Sequence, residues 1–211
     1  MIILAVLFET SEFEKLKQDL VLYRCVLNNM DMRLKTFQED FTNLQNYNPL
    51  EHVKIRLKSP ESIAEKLKRR DLPVTAESAR SNLFDIAGIR CICSYSTDIP
   101  IIADVFKRQP DIRLLNEKDY ITSPKKSGYR SHHLIMEVPI HLTDKTERLP
   151  VEVQIRTQAM DFWSTLEHKV RYKYDNNMPE HLKIELEACA NEIDKLYKRM
   201  HKVQDAVDKA Y

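Results

Sequence analysis

The segment VEVQIR at residues 151–156 alternates strictly between apolar and polar side chains. Successive side chains of a β-strand point to opposite faces of its sheet, so this alternation predicts a strand with one buried face. The other face carries Glu152, Gln154 and Arg156 in a row. A solvated sheet face would show the same pattern, so the segment alone leaves open whether these polar residues form a site.

Further strands and helices are expected around this segment. Apolar, β-branched runs predict strands at 86–95, 112–115 and 133–138. Apolar residues at helical spacing predict helices at 11–44, 50–70 with an interruption at 58–60, 99–109, 157–172 and 180–207. We therefore predict an α/β (α+β) fold in which a mixed β-sheet of about five strands is wrapped by helices.

Three segments are expected along the chain, forming one structural unit: an N-terminal helical segment at 1–48, a central domain at 49–175 and a C-terminal helical segment at 176–211. Ser11 followed by Glu14 predicts a capping box at the start of the first helix. The apolar run at 2–8 indicates a buried terminal strand or a wrongly chosen upstream start codon. Because it is too short to span a bilayer and lacks a basic segment and a cleavage site, we expect no membrane insertion.

Charge and cysteine content narrow the function classes. Lys and Arg number 33 against 32 Asp and Glu, whereas a protein that binds nucleic acid through bulk charge normally has a strong basic excess. The four cysteines show no CxxC or paired zinc spacing. Cys91 and Cys93 share one face of a predicted strand, where small buried thiols are typical. We therefore expect a cytoplasmic protein in a reducing setting.

Only two glycines occur in the 211 residues. Gly88 lies in DIAGIR at 85–90, and Gly128 lies in KKSGYRSHH at 125–133. Glycine is needed where φ is positive or where backbone approaches a ligand closely. Two ordinary turns would also explain them, but both glycines stand beside charged and aromatic residues, which favours a site at each.

A basic stretch, KIRLKSPESIAEKLKRR at 54–70, contains seven basic residues and two acidic ones. Ser59 is placed to cap a helix, and Pro60 suits its first position. The free N–H groups at this helix start would attract phosphate. The basic and hydroxyl side chains that would surround a polyphosphate are Arg56, Lys58, Ser62, Lys66 and Arg69. The alternative is a solvated basic face.

Carboxylates and a polar loop complete the candidate site. Asp85 stands at the mouth of the strand predicted at 86–95, and Glu152 lies on the strand predicted at 151–156. Two such carboxylates plus substrate phosphates suit Mg²⁺; a structural pair of Asp85 with Arg90 is the alternative. In the loop at 125–133, the lysines offer phosphate charge, Tyr129 offers a ring on which a base could stack, and His133 offers a phosphate donor. Either His132 or His133 could equally be a satisfied partner of the strand, and for His132 this is the expectation.

The helical segment 159–173 is expected to contribute Asp161 on one face, together with Thr165 and His168. Its single Trp163 is expected to be a core anchor. Phe162 and Leu166 are expected to turn toward packing surfaces as well.

Five motifs together resemble the synthetase domain of the RelA/SpoT family, and the chain length is similar to that of stand-alone small alarmone synthetases. The motifs are RLKSPESI at 56–63, DIAGIR at 85–90, SGYRSHH at 127–133, VEVQIRT at 151–157 and AMDFWSTLEHKVRYK at 159–173. Residues 47–52 resemble the RelP-type branch most closely. The resemblance implies a nucleotidyltransferase-like synthetase domain with long terminal helices.

The resemblance further implies transfer of the β,γ-pyrophosphate of ATP to the 3′-hydroxyl of GDP or GTP, giving AMP and ppGpp or pppGpp. Asp85 would hold Mg²⁺, and Glu152 would assist the metal and accept the 3′-hydroxyl proton. The residues implied for ATP are Arg56, Lys58, Ser62, Lys66, Arg69 and Arg90. Those implied for GDP or GTP are Lys125, Tyr129, His133, Gln154, Arg156 and Asp161.

Several alternatives remain at this point. No His-Asp dipeptide occurs, so the hydrolase half of the bifunctional relatives is not expected. A catalytically silent module that binds guanine nucleotide or RNA would need neither Asp85 nor Glu152. A nucleotidyl-transferring enzyme would be expected to carry a Gly-Ser metal motif, and no Gly-Ser dipeptide is present. The apolar stripes of the terminal helices predict a homo-oligomer, a tetramer as in similar enzymes.

Overall fold

The computed structural model of the chain describes residues 8–174 and 178–208. Its elements, in chain order, are α1 (Thr10–Leu44), β1 (Leu50–Leu57), α2 (Pro60–Arg69), α3 (Ala76–Asn82), β2 (Ala87–Cys93), α4 (Asp98–Lys107), β3 (Arg113–Asp119), β4 (His132–His141), β5 (Thr146–Thr157), α5 (Gln158–Lys173) and α6 (Glu180–Asp208). Helices therefore precede, interrupt and follow the strands, as the sequence predicts.

The strands form one mixed five-stranded sheet in the order β1-β2-β5-β4-β3. β2 and β5 run parallel, and the other neighbouring pairs are antiparallel. The predicted α+β class with a sheet of about five strands is confirmed. The register of this parallel pair places Gly88 beside Glu152 and Arg90 beside Gln154. Residues from two distant parts of the chain therefore lie side by side in the sheet.

One sheet face is covered and the other is open. Along β5, Val151, Val153 and Ile155 are fully buried, in contact with a core that α1 and α4 complete. The long helix α1 contributes the predicted apolar stripe, including Leu16, Tyr23, Leu27, Met30 and Leu34. The alternating polar residues of β5 lie on the opposite face. The period-two pattern therefore separates the residues of the core from the polar residues on the other face of the sheet.

Two local predictions about the N-terminal third are wrong. Ser11 lies inside α1, whose N-cap is Glu9 without a side-chain cap hydrogen bond, and Glu14 instead pairs with Lys17 at 2.7 Å. No capping box forms there, because the helix begins one residue earlier. The expected strand at 2–8 lies outside the described residues except for Phe8, which is buried.

Residues 50–57, expected to be helical, form strand β1 instead. Leu50, Val53 and Leu57 fit helical spacing, but Val53, Ile55 and Leu57 also fit a period of two. An irregularity between Leu50 and His52 disturbs the alternation at the start of the strand. Pairing with β2 decides between the two periods, because it provides ladder hydrogen bonds along the whole segment.

The C-terminal helices explain the second glycine. Gly128 has φ +84°, and a Cβ on it would lie 2.5 Å from the Ala190 Cβ of α6. Trp163 is a core anchor as expected, 5% exposed, and its indole N–H donates to the Leu186 carbonyl at 3.1 Å. The expected packing of Phe162 and Leu166 is wrong, since within the described chain these side chains are 59% and 44% exposed.

We expect Gly128→Ala to lower the free energy of unfolding by about 2–4 kcal/mol, since it adds backbone strain to an overlap with α6. Gly88→Ala is the matched control. Its nearest contact would be the Arg56 carbonyl oxygen at an ordinary 3.7 Å, and the φ of Gly88 is not positive. Urea unfolding of both variants measures the difference; equal losses would contradict the assignment.

Cys91 and Cys93 are buried in β2, as predicted, and burial raises the pKa of the Cys91 thiol to about 12. The helices in the described ranges include none whose length and apolar character would let it cross a bilayer.

Candidate active site

Two rows of side chains cross the open face of the sheet. Strand register aligns Arg56, Gly88 and Glu152 in one row, and Lys54, Arg90, Gln154 and His133 in the next. Side chains at alternate strand positions share a face, and aligned positions on neighbouring strands lie side by side. The face therefore presents carboxylate, amide, imidazole and cationic groups to one open space.

The residue before the N-cap of α2 and the last turn of this helix bring two lysines onto this face. Ser59 caps the helix by accepting from the Ser62 N–H at 3.3 Å, and Pro60 occupies its first position, both as predicted. Lys58 precedes the cap, and Lys66 lies in the last turn of the helix. Both ammonium groups donate to Asp85 Oδ2 at 2.5 Å. These two lysines of the basic stretch therefore bind the Asp85 carboxylate and do not belong to a solvated basic face.

Asp85 is held as an anion by these lysines. Burial would raise the pKa of the Asp85 carboxyl, but hydrogen bonds from Lys58 and Lys66 outweigh burial and lower the pKa below its usual value. Burial in turn lowers the pKa of Lys58, and Asp85 only partly offsets this. Asp85 Oδ1 is buried and has no hydrogen-bond partner among the described residues.

Arg90 does not pair with Asp85, which answers the structural alternative. Its guanidinium donates to Asp161 Oδ1 at 3.1 Å, while Lys54 donates to Asp161 Oδ2 at 2.9 Å. Arg156 approaches the same carboxylate at 3.6 Å. Burial would raise the pKa of Asp161, but these cations lower it. Asp161 therefore fixes three cations at one end of the face.

Both carboxylate oxygens of Glu152 contact neighbouring side chains. Gln154 Nε2 donates to Oε2 at 2.8 Å, and His133 Nδ1 lies 3.3 Å from Oε1. Burial would raise the pKa of Glu152, but His133 and Gln154 outweigh it and keep the pKa below its usual value. Glu152 is consequently ionised at neutral pH and able to accept a proton.

The loop before β4 builds an aromatic cluster beside Glu152. The rings of Tyr120, Tyr129 and His133 meet edge to face at centroid distances of 5.2–6.1 Å. The Lys125 ammonium lies 4.6 Å from the Tyr120 centroid and 4.9 Å from that of Tyr129. The hydroxyl of Tyr129 contacts His133 Nε2 at 2.8 Å and accepts from Arg156 Nη2 at 3.0 Å.

Two pockets meet at the carboxylates. The first, about 620 Å³, is lined by two cations of β1 and by Lys58 between β1 and α2, with Gly88, Arg90 and Gln154. The second, about 1240 Å³, extends toward Lys66, Tyr120, Lys125 and His133. Asp85 and Glu152 line both. Two ligands bound in these pockets would therefore face each other across Asp85 and Glu152.

The expected residues divide unevenly between the pockets. Arg56, Lys58 and Arg90 line the first as expected for a donor, whereas Lys66 lines the second. Gln154, expected on the acceptor side, lines the first. Ser62 and Arg69 are absent from the lining of both pockets as far as the described chain shows. Their roles stay predictions.

Among the lining residues without a predicted role are three cations and one tyrosine: Lys54 in the first pocket, and Arg70, Lys118 and Tyr120 in the second. Lys54 and Arg70 belong to the basic stretch at 54–70. Their positions at the pockets depend on strand β1 and on the end of α2, which the sequence pattern does not specify. Lys118 and Tyr120 carried no local signal, since the strand at 112–115 was predicted four residues too short.

The residues present fit a magnesium ion. No cluster of three or more His, Cys, Asp or Glu side chains suitable for a metal occurs in the described ranges. Asp85 instead offers an unpartnered buried oxygen beside Glu152. A site with one or two carboxylates that relies on substrate phosphates for its other ligands is typical of Mg²⁺.

The fold and this paired pocket define a class of nucleotide-handling proteins, and the sequence comparison identifies it. The family described as "Region found in RelA / SpoT proteins" matches residues 55–177. The chain therefore belongs to the RelA/SpoT family, as the motifs predict. The matched segment contains both carboxylates and most of the pocket lining.

Particular relatives are similar over nearly their full length. GTP pyrophosphokinase YwaC of Bacillus subtilis strain 168 is 40% identical over 195 residues, 92% of this chain and 93% of its own. GTP pyrophosphokinase YjbM of the same strain is 34% identical over 191 residues, 90% of this chain and 89% of its own.

Solved structures agree with the fold. The small alarmone synthetase 2 of Bacillus subtilis superposes with a TM-score of 0.82 at 39% identity, covering 90% of this chain and 98% of that one. The small alarmone synthetase 1 of that organism, bound to its product pppGpp, gives a TM-score of 0.85 at 33% identity, covering 91% and 97%.

Proposed function

We propose that this chain is a GTP pyrophosphokinase, or GTP diphosphokinase, that makes ppGpp or pppGpp from ATP and GDP or GTP. The observation that carries the proposal is the meeting of two pockets at Asp85 and Glu152. A transfer between two nucleotides needs two adjoining sites and a base at their junction. The relatives named above as GTP pyrophosphokinases support the same activity.

The first pocket is proposed to take ATP. Arg56, Lys58 and Arg90 supply fixed positive charge for its phosphates, and Lys54 adds a cation that the sequence did not assign. Gly88 lies in the floor of the pocket, where a missing side chain leaves room for a close approach. Ser62 and Arg69 stay proposed ATP ligands through the start and exposed face of α2. Charge neutralisation and alignment are the main requirements of such transfers.

The second pocket is proposed to take GDP or GTP. Tyr120 and Lys125 line this pocket and offer aromatic surface for guanine and charge for the 5′-phosphates. Tyr129 is not among the lining residues but packs edge to face against Tyr120, and it stays the proposed stacking ring. Gln154, Arg156 and Asp161 are proposed to shape the junction with this pocket. Base–aromatic stacking is worth about 1–3 kcal/mol per base, enough to control acceptor retention.

In the proposed reaction, the acceptor 3′-oxygen bonds to the β-phosphorus of ATP. The bond between that phosphorus and the α,β-bridging oxygen breaks, and AMP leaves with this oxygen. Glu152 accepts the hydroxyl proton, because it is ionised and lies at the junction. Asp85 and Glu152 are the groups that would hold Mg²⁺, which would supply charge neutralisation for the phosphates.

Incubation of the purified chain with γ-labelled ATP, Mg²⁺ and either GDP or GTP tests the proposal. We expect label to move onto the guanine nucleotide with one AMP released per transfer. The faster acceptor reveals the preference. Nucleotide binding without any transfer would instead favour the silent guanine-nucleotide or RNA-binding module.

The protein is further proposed to be a cytoplasmic homo-oligomer, a tetramer. Large apolar side chains of α5 and α6 are exposed in the single chain, including Phe162, Ile184, Leu196, Met200 and Val203. Burying them between copies would remove apolar surface from water. We expect light scattering at micromolar concentration to give a multiple of the chain mass. A monomeric mass would contradict the proposal.

A further inference from the structure

The part of the loop that carries Lys125 and Tyr129 is a closed backbone turn, residues 125–129, here called the acceptor turn. The Lys125 N–H donates to the Tyr129 carbonyl oxygen at 3.2 Å, and the Gly128 N–H donates to the Lys125 carbonyl oxygen at 2.8 Å. Because both bonds lie within the turn, they tie its residues into one unit. A contact that fixes Gly128 therefore also fixes the two residues proposed to bind the acceptor nucleotide.

Helix α6 lies against the acceptor turn, although it lines neither pocket. A Cβ on Gly128 would lie 2.5 Å from the Ala190 Cβ, 3.5 Å from the Glu187 Cα and 3.6 Å from Trp163 Cζ2. The turn is therefore packed directly on α5 and α6. Among the described residues of α6, none lines the pocket proposed for ATP or the pocket proposed for the acceptor. Helix α6 can act on the acceptor only at a distance, and the turn is a direct connection between them.

One side chain joins the turn to α6 by hydrogen bonds. Arg130 follows the turn, and its side chain is 13% exposed. Its Nη1 donates to the Gly128 carbonyl oxygen at 3.0 Å, and its Nη2 donates to Asn191 Oδ1 of α6 at 3.0 Å. Asp194, on the same helix, adds an opposite charge 3.9 Å from Nε. Because a guanidinium is planar and rigid, the two hydrogen bonds hold the turn and the helix at a fixed separation.

We propose that Arg130 is a positioning residue, which fixes the acceptor turn to α6 and so raises the affinity for GDP or GTP without contacting either nucleotide. The inference rests on the proposed function and deepens it, because it gives α6 a part in acceptor binding. A turn that is already held in its binding conformation does not have to be ordered when the nucleotide arrives. When that conformation is only partly populated, the apparent Kd rises by the inverse of the population.

Removal of either end of the connection tests the proposal. Loss of one hydrogen bond changes an equilibrium constant about 2–10-fold. Arg130→Ala loses both bonds, so the calorimetric Kd for GDP and the acceptor KM should rise about tenfold. Asn191→Ala loses one bond and should raise both quantities about threefold. In both variants, kcat and the KM for ATP should change less than about twofold, because only acceptor binding depends on the turn.

Two further variants and a double variant separate positioning from direct nucleotide binding. Asn191→Asp keeps an oxygen acceptor for Arg130 and should retain the wild-type Kd for GDP. Glu192→Ala, at the exposed neighbouring residue of α6, is the matched control and should also retain it. Combining Arg130→Ala with Asn191→Ala should raise the Kd no further than Arg130→Ala alone, because both substitutions break one connection. An unchanged Kd in Asn191→Ala, or additive losses in the double variant, would overturn the proposal in favour of Arg130 as a nucleotide ligand.

Hydrogen exchange of single amides, followed by NMR, gives a readout that needs neither nucleotide nor turnover. The Lys125 and Gly128 amides should exchange several-fold faster in Arg130→Ala and Asn191→Ala than in the wild type, and at the wild-type rate in Glu192→Ala. Unchanged exchange in Arg130→Ala, or faster exchange with an unchanged Kd for GDP, would overturn the proposal. If the wild-type chain transfers no pyrophosphate, the proposed function fails, whereas the exchange rates still report on the connection between the turn and α6.

Discussion

Glu152→Gln is expected to lower kcat about 10²–10⁴-fold while both nucleotides still bind. General-base catalysis contributes about this much, and glutamine is nearly isosteric but accepts no proton at neutral pH. Its amide oxygen can still accept from Gln154 at the position of Oε2. Its amide nitrogen would face His133 Nδ1, so the 3.3 Å contact between Nδ1 and the carboxylate is lost. Single-turnover transfer from labelled ATP measures the effect.

A control variant and measurements of nucleotide binding separate the loss of the base from other effects of the substitution. Glu147 lies on the same strand, β5, and pairs with Arg80 and Lys145 away from the pockets. Glu147→Gln should therefore keep kcat near the wild-type value. Calorimetric Kd values for ATP analogue and GDP should change less than about threefold in Glu152→Gln. A wild-type rate in this variant would remove Glu152 from the chemistry.

The polar row of β5 could be predicted from sequence because it depends on one local period. The alternation at 151–156 separates buried valines from Glu152, Gln154 and Arg156, and the structure confirms both faces. The meeting of Asp85 with Glu152 has a different origin. It depends on the parallel pairing of β2 with β5, whose strands lie some sixty residues apart, so residue patterns alone do not specify it.

Contacts between distant segments account for most of what the sequence missed. The link from Arg156 to Tyr129 spans 27 residues, and no motif spacing indicates it. Strand β1 was predicted as helix because its apolar residues satisfy two periods at once. The short helix α3 went unpredicted; it spans only seven residues, and Thr75 caps it by accepting from the Ser78 N–H.

The pairing of Asp85 with two lysines leads to the second large effect. Asp85→Asn removes the proposed metal ligand, and metal stabilisation of transferring phosphates is worth several kcal/mol. We expect kcat to fall about 10²–10³-fold. Binding of Mn²⁺, followed by the electron paramagnetic resonance of the free ion in the presence of a non-hydrolysable ATP analogue, should weaken at least tenfold. Asp71→Asn, at an exposed residue just beyond α2 with φ 55°, is the control.

Without metal, the same variant should bind the ATP analogue more tightly than the wild type. Lys58 and Lys66 both pair with Asp85 in the free protein, and the substitution frees the charge of Lys58, which lines the first pocket, for the ATP phosphates. A carboxylate about 4 Å from a phosphate repels it by about 1 kcal/mol even at the dielectric constant of water, or about fivefold in Kd. The wild type should need Mg²⁺ for tight binding and Asp85→Asn should not. If both proteins gained equally from Mg²⁺, Asp85 would be a structural partner of the lysines and not the residue that couples metal to ATP.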